Sequence, residues 1–131
     1  MGLKIPKVMI AAVKSGSGKT TVTCAFLKQL LCRKKHPVSF KCGPDYIDPM
    51  FHEQVLKIPS KNLDTFFSDA LQIQTLYEME LPGHDIAVLE GVMGLYDGLG
   101  GIREEGSSYH LARTLDVPVI LVVDAHGMGK S

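Results

Sequence analysis

The chain has 131 residues, and its 14 Lys plus Arg are balanced by 14 Asp plus Glu; it fits one domain and carries no general field to hold nucleic acid or an anionic membrane. No segment approaches the roughly 20 continuous apolar residues that span a bilayer, and Met1 to Lys7 lacks the apolar core of a secretory signal, so a cytoplasmic protein is expected. The three cysteines, Cys24, Cys32 and Cys42, are odd in number and lack metal-type spacing, which argues for reduced thiols over a disulfide framework.

Val8 to Val13 is an uninterrupted apolar run, as expected of a strand buried on both faces of a parallel sheet. It leads into Lys14-Ser15-Gly16-Ser17-Gly18-Lys19-Thr20-Thr21, the glycine turn of a phosphate-binding loop. There the glycines let backbone N–H groups of Ser15 to Thr21 approach phosphate oxygens, Lys19 supplies a mobile positive charge, and the Thr20 hydroxyl suits a magnesium ion. Val13 stands where the full pattern has its first glycine, so the match is to the Gly-x-Gly-Lys-Thr core. A helix is predicted from Thr20 to Lys34, with a stripe of Val22, Phe26 and Leu30 widened by Leu27 and Leu31. Cys24 and Cys32 read as small buried hydrophobes within it.

His36-Pro37 ends that helix, and Val38 to Lys41 reads as a second strand. The loop Cys42-Gly43-Pro44-Asp45-Tyr46-Ile47-Asp48-Pro49 follows, stiffened by two prolines and carrying two carboxylates. A short helix is expected over Pro49 to Lys57, punctuation over Ile58 to Asn62, and Leu63 to Phe67 is ambiguous. Ser68 or Asp69 caps a helix through Leu71, Leu76 and Met79. Ile86 to Leu89 is a third strand, followed by Glu90 to Gly101, whose five glycines preclude a regular element. Ser107 or Ser108 caps a helix through Leu111, Ala112 and Leu115, and Val117 to Val123 is a fourth buried strand ending at Asp124.

Strands alternating with helices indicate an α/β fold of the P-loop NTPase type, a parallel sheet flanked by helices. Ligands in such sheets sit at the carboxyl ends of the strands, and all four unusual stretches directly follow a strand. Glu90 and Asp124 each end an apolar strand and compete for a magnesium ion opposite Thr20, since magnesium prefers hard oxygen ligands. Asp45 and Asp48 share a rigid turn, one suited to metal and the other to substrate. Lys41, at a strand end beside the phosphates, can neutralise charge that builds during phosphoryl transfer. The remaining histidines, His52, His84, His110 and His126, fall in no ligand spacing and read as surface or capping groups.

Lys-Cys-Gly-Pro-Asp-Tyr-Ile-Asp-Pro at 41–49 and Leu-Glu-Gly-Val-Met-Gly-Leu-Tyr-Asp-Gly at 89–98, with Ser-Gly-Ser-Gly-Lys-Thr-Thr-Val-Thr at 15–23, carry a specific resemblance. Together they resemble the ATP-binding half of the cobyrinic acid a,c-diamide synthases, glutamine-dependent amidotransferases related to dethiobiotin synthetase. The resemblance implies ATP and Mg2+ as cofactors, a corrinoid substrate, and glutamine or ammonia as nitrogen source. It implies Lys19 and Lys41 on the phosphates, Thr20, Asp48 and Glu90 around magnesium, Asp45 and Tyr46 toward the substrate carboxylate, and Asp97 near the transfer site. Family members are several times longer and carry a carboxyl-terminal glutaminase domain. Residues 1–131 are therefore expected to be an incomplete ATP-binding amidoligase domain, ending after the fourth core strand, without the glutaminase. No cysteine here lies in a motif resembling a glutaminase nucleophile, and open sheet edges predict self-association.

Lys14 points to a second reading. It occupies the place of the extra lysine in the deviant phosphate loops of partition and septum-positioning ATPases, where such a residue reaches the partner's nucleotide across a homodimer. A nucleotide-switched dimer, or amidation of a related tetrapyrrole such as hydrogenobyrinic acid or nickel-sirohydrochlorin, are the alternatives.

Overall fold

Short β-prone runs alternating with helical stretches build one parallel sheet covered on both faces. The computed structural model describes residues 4–43, 47–65, 68–98 and 105–129, without the side chains of residues 47–49 and 51. Strands β1 (Lys7–Ala12), β2 (Pro37–Cys42), β3 (Ser60–Leu63), β4 (Ile86–Glu90) and β5 (Val119–Val122) alternate with helices α1 (Lys19–Cys32), α2 (Ile47–Gln54), α3 (Ala70–Met79) and α4 (Ser108–Leu115). The strand order is β3-β2-β4-β1-β5, and every neighbouring pair is parallel.

Alternation within each strand divides the core between the two faces. Met9, Ala11, Phe40, Ala87 and Leu89 join Ile73, Tyr77 and Leu111 from α3 and α4. Ile10 and Val88 pack on the other side with Leu27 of α1 and Ile58. The rings of Phe40 and Tyr77 lie 5.0 Å apart, fixing α3 over β2.

The α/β parallel sheet with flanking helices is the predicted fold, but it has five described strands where four were expected. The missed strand is β3, whose Ser60-Lys61-Asn62-Leu63 looks like punctuation because an edge strand buries only its ends. The last strand is also not buried. Val119, Ile120 and Leu121 are 37%, 48% and 46% exposed, since β5 pairs with β1 alone.

Two helical stripes are rotated from their predicted positions. In α1 the buried residues are Thr23 and Leu27, with Val22 exposed; Thr23 can face inward because its hydroxyl donates to the Lys19 carbonyl at 2.9 Å. In α3, Ile73 and Tyr77 face the sheet, while Leu71, Leu76 and Met79 face outward. The start of α3 is the predicted one: Asp69 accepts from the Gln72 N–H at 2.8 Å, and the Gln72 side chain accepts from the Asp69 N–H at 2.9 Å, a reciprocal capping box.

Cys32 is exposed and Cys24 half-buried, so the role of buried hydrophobe falls to Cys42 alone. His52 departs furthest from expectation. It is fully buried, with Nδ1 2.9 Å from the Ser39 hydroxyl and Nε2 3.9 Å from the Cys24 sulfur, and so ties α2 to β2 and α1.

Candidate functional site

The phosphate loop leaves β1 at Ala12 and returns as α1 at Lys19. Gly16 and Gly18 have φ of +78° and +92°, a backbone region that L side chains rarely enter. Space is not what demands glycine here, because a Cβ on either residue would meet nothing within 4 Å. What the conformation provides is a mouth open to solvent, with the first turn of α1 behind it. Ser17 braces the turn by donating its hydroxyl to the Lys14 carbonyl at 2.9 Å. Among the described residues no side chain caps α1, and its first turn holds no acidic residue, so its amide groups and dipole face the loop mouth, where an anion would sit. Ser15, Thr20 and Thr21 are exposed and Lys19 is half-buried.

The second part of the site is built by register. Glu90 lies opposite Ile10 on β1 and opposite Lys41 on β2. Lys41 Nζ donates to Glu90 Oε2 at 2.8 Å, with the two side chains 4% and 0% exposed. Lys41, near the end of its strand, is buried rather than in solvent. Placing two opposite charges in the interior is costly in desolvation and at best breaks even against an apolar pair. A buried ion pair at the strand ends, one strand from the phosphate loop, therefore has little reason to exist for stability.

The glycine-rich stretch after β4 is clamped onto the phosphate loop. The Gly91 N–H donates to the Ile10 carbonyl and the Leu95 N–H to the Ala12 carbonyl, both at 2.8 Å. Gly94 is required by close approach: a Cβ there would lie 2.5 Å from the Val13 carbonyl oxygen and 2.7 Å from Asp97 Oδ2. Ser108, fully buried, accepts from the Val92 N–H at 2.7 Å and donates to the Val92 carbonyl at 3.1 Å. The sequence offered Ser107 or Ser108 as a cap. Ser107 is the cap, accepting from the His110 N–H at 3.0 Å, and Ser108 instead holds the loop.

Asp97 is exposed, and its Oδ2 accepts from the Gly94 N–H at 3.0 Å, shaping the turn at the mouth. Asp124, the rival to Glu90, is exposed after β5, and its carboxylate accepts from the His126 N–H at 3.0 Å. Asp48 lies within α2, directly after β2 in the chain; Asp45 and Tyr46 lie outside the described residues. Among the described residues, no group of three or more His, Cys, Asp or Glu is assembled as a metal cluster. The oxygens at hand, the Thr20 hydroxyl and Glu90 carboxylate, are hard donors of the kind magnesium takes alongside nucleotide phosphates and water.

Cys42 ends β2 beside Lys41. Burial pushes its thiol up to about 12, opposed by a hydrogen bond with Ser108 and by the Lys41 and Lys19 cations, and reinforced by Asp64. Such a thiol is protonated at neutral pH and is no nucleophile. Its neighbours show that Lys19, Lys41 and Ser108 share one end of the sheet.

A family model described as the CobQ/CobB/MinD/ParA nucleotide binding domain matches residues 8–128. The chain belongs to this family. Its curated relatives include cobyrinate a,c-diamide synthases. That of Gloeobacter violaceus is 48% identical over 124 residues, 95% of this chain and 27% of that protein. That of Thermoplasma acidophilum is 42% identical over 129 residues, 98% of this chain and 29% of that protein. The Methanococcus maripaludis enzyme is 42% identical over 125 residues, covering 95% and 28%. The chain thus spans a little over a quarter of the length of these relatives. No helix among the described residues is long and apolar enough to cross a membrane.

Proposed function

We propose that residues 1–131 form the ATP-binding part of a cytoplasmic amidoligase that converts the a and c acetate carboxylates of cobyrinic acid to amides. A carboxylate is a poor electrophile. Its oxygen would attack the γ-phosphorus of ATP, forming a new P–O bond as the bond to the β-phosphate oxygen breaks and ADP leaves. Ammonia would then attack the acyl carbon of this acyl phosphate, the C–O bond would break, and phosphate would depart as the nitrogen loses a proton. On this reading the ammonia comes from glutamine hydrolysed on a glutaminase domain of the kind the resemblance implies.

The observation that carries this reading is the buried Lys41–Glu90 pair. In the phosphorylation step, fixed charge must meet developing negative charge in a site that excludes water. Lys41 provides such a cation, held in place by Glu90, while Lys19 and the N–H groups of the phosphate loop hold the triphosphate. Magnesium, when bound, would neutralise phosphate charge. Thr20, Asp48 and Glu90 are the residues to hold it, and the position of Glu90 between β1 and β2 favours it over Asp124. Asp45 and Tyr46 are assigned to the substrate carboxylate, and Asp97 shapes the mouth beside it.

Supplying the full-length protein with ATP, ammonia and cobyrinic acid bypasses the glutaminase. Amide product is expected, and Glu90→Gln should abolish it; near-normal turnover by that variant removes Glu90 from the mechanism. The exposed Lys14 at the loop mouth, in a family whose description includes MinD and ParA, supports the dimeric switch as second reading. ATP hydrolysis stimulated only by a partner protein, with no amide formed, would establish that alternative.

A further inference from the structure

The turn at residues 94–97 presents an aromatic surface that none of the roles above uses. Tyr96 is 63% exposed although its backbone is among the most firmly held in the site. Leu95, immediately before it, donates its N–H to the Ala12 carbonyl and accepts from the Tyr109 N–H, both at 2.8 Å. Asp97, immediately after it, closes the turn onto Gly94. Among the described residues, the hydrogen bonds that shape this turn come from backbone and from Asp97, not from the phenol.

The ring has company. Its centroid lies 4.8 Å from that of Tyr109 at an interplanar angle of 49°, and the Arg113 guanidinium carbon lies 5.7 Å from the Tyr109 centroid. Tyr96, Tyr109 and Arg113 thus form a contiguous cluster of tilted rings and guanidinium with an aromatic end open to solvent, on the turn that packs against Val13 at the phosphate loop. Aromatic faces take flat conjugated surfaces, and a guanidinium attracts carboxylates. A broad conjugated ring fringed with carboxylates matches both ends of the cluster. The adenine base of a nucleotide offers a flat face but no anionic fringe for Arg113.

On the amidoligase reading above, we infer that Tyr96, backed by Tyr109 and Arg113, is a positioning platform for the carboxylate-bearing macrocycle, holding its ring face so that an acetate arm reaches the γ-phosphate. The platform makes Tyr96 a determinant of substrate affinity and not of ATP affinity.

Equilibrium dialysis of the full-length protein with cobyrinic acid, read by its visible absorbance, tests this in parallel with binding of a fluorescent ATP analogue. Tyr96→Leu, which keeps bulk but loses the ring, should weaken corrinoid binding about tenfold, while Tyr96→Phe, which keeps the ring, should bind as the parent does. Analogue affinity should stay within about twofold throughout. Corrinoid binding by Tyr96→Leu equal to that of the parent overturns the platform and leaves the ligase reading standing. Equal weakening of corrinoid and analogue also overturns it, because the ring would then serve the nucleotide or the fold. Failure of the unsubstituted full-length protein to bind cobyrinic acid overturns the ligase reading, and the platform with it.

Discussion

Breaking the Lys41–Glu90 pair from one side should be far more damaging than removing it altogether. At 2.8 Å and an effective dielectric near 20, the gross attraction is about 6 kcal/mol. Both groups lost their hydration to reach this position, so most of that attraction offsets desolvation. Lys41→Met takes the ammonium away from the buried Glu90 carboxylate and Glu90→Leu takes the carboxylate away from the buried Lys41 ammonium, each expected to cost about 3–5 kcal/mol. Against a total stability of about 5–15 kcal/mol for a domain of this kind, either loss is severe. The double variant Lys41→Met/Glu90→Leu replaces the pair by apolar groups of similar size and should recover to within about 1 kcal/mol of the parent. Urea unfolding of the four proteins, with unchanged denaturant slopes, gives the coupling directly. Single variants within about 0.5 kcal/mol of the parent, or a double variant that merely sums the two losses, would refute the reasoning that this is a desolvated, mutually dependent pair.

Two further outcomes are expected. Gly18→Ala should weaken binding of a fluorescent ATP analogue at least tenfold and cost about 1 kcal/mol of stability, because φ is +92° although the space beside it is open; unchanged affinity would mean that the loop tolerates another backbone conformation. Stability should hold below about pH 9 and fall between pH 9 and 12, because Cys42 and Tyr77 are both pushed up to about 12 by burial. The unfolded chain releases these protons first, so rising pH favours it; thermal melts between pH 8 and 11 with a constant midpoint would contradict this.

The site was legible in the sequence wherever local chemistry dictates local structure. The phosphate loop, the Asp69 cap and the acidic end of β4 follow from glycine turns, capping side chains and apolar runs, all of which act over a few residues. The pairing of Lys41 with Glu90 was not legible, because it depends on strand order and register across 49 residues of chain. The choice between Ser107 and Ser108 was open for a related reason: a serine at a helix start usually caps, and only the approach of Val92 shows that Ser108 clamps a loop. β3 lacked a hydrophobic alternation to announce it. His52 looked like a surface residue because no spacing in the sequence reveals that Ser39 and Cys24 surround it.

The position of β4 between β2 and β1 has a consequence for how the protein acquires its site. β1 and β2 are not neighbours in the sheet; each pairs with β4. A growing or refolding chain that has formed only its first 85 residues holds the phosphate loop and Lys41 on strands with no shared neighbour. Their alignment waits for one late segment to insert and bridge them, and parallel pairing over such sequence distances is slow. Nucleotide affinity should therefore emerge abruptly near the end of folding, which makes ligand binding a sensitive reporter of the last step in assembling the sheet.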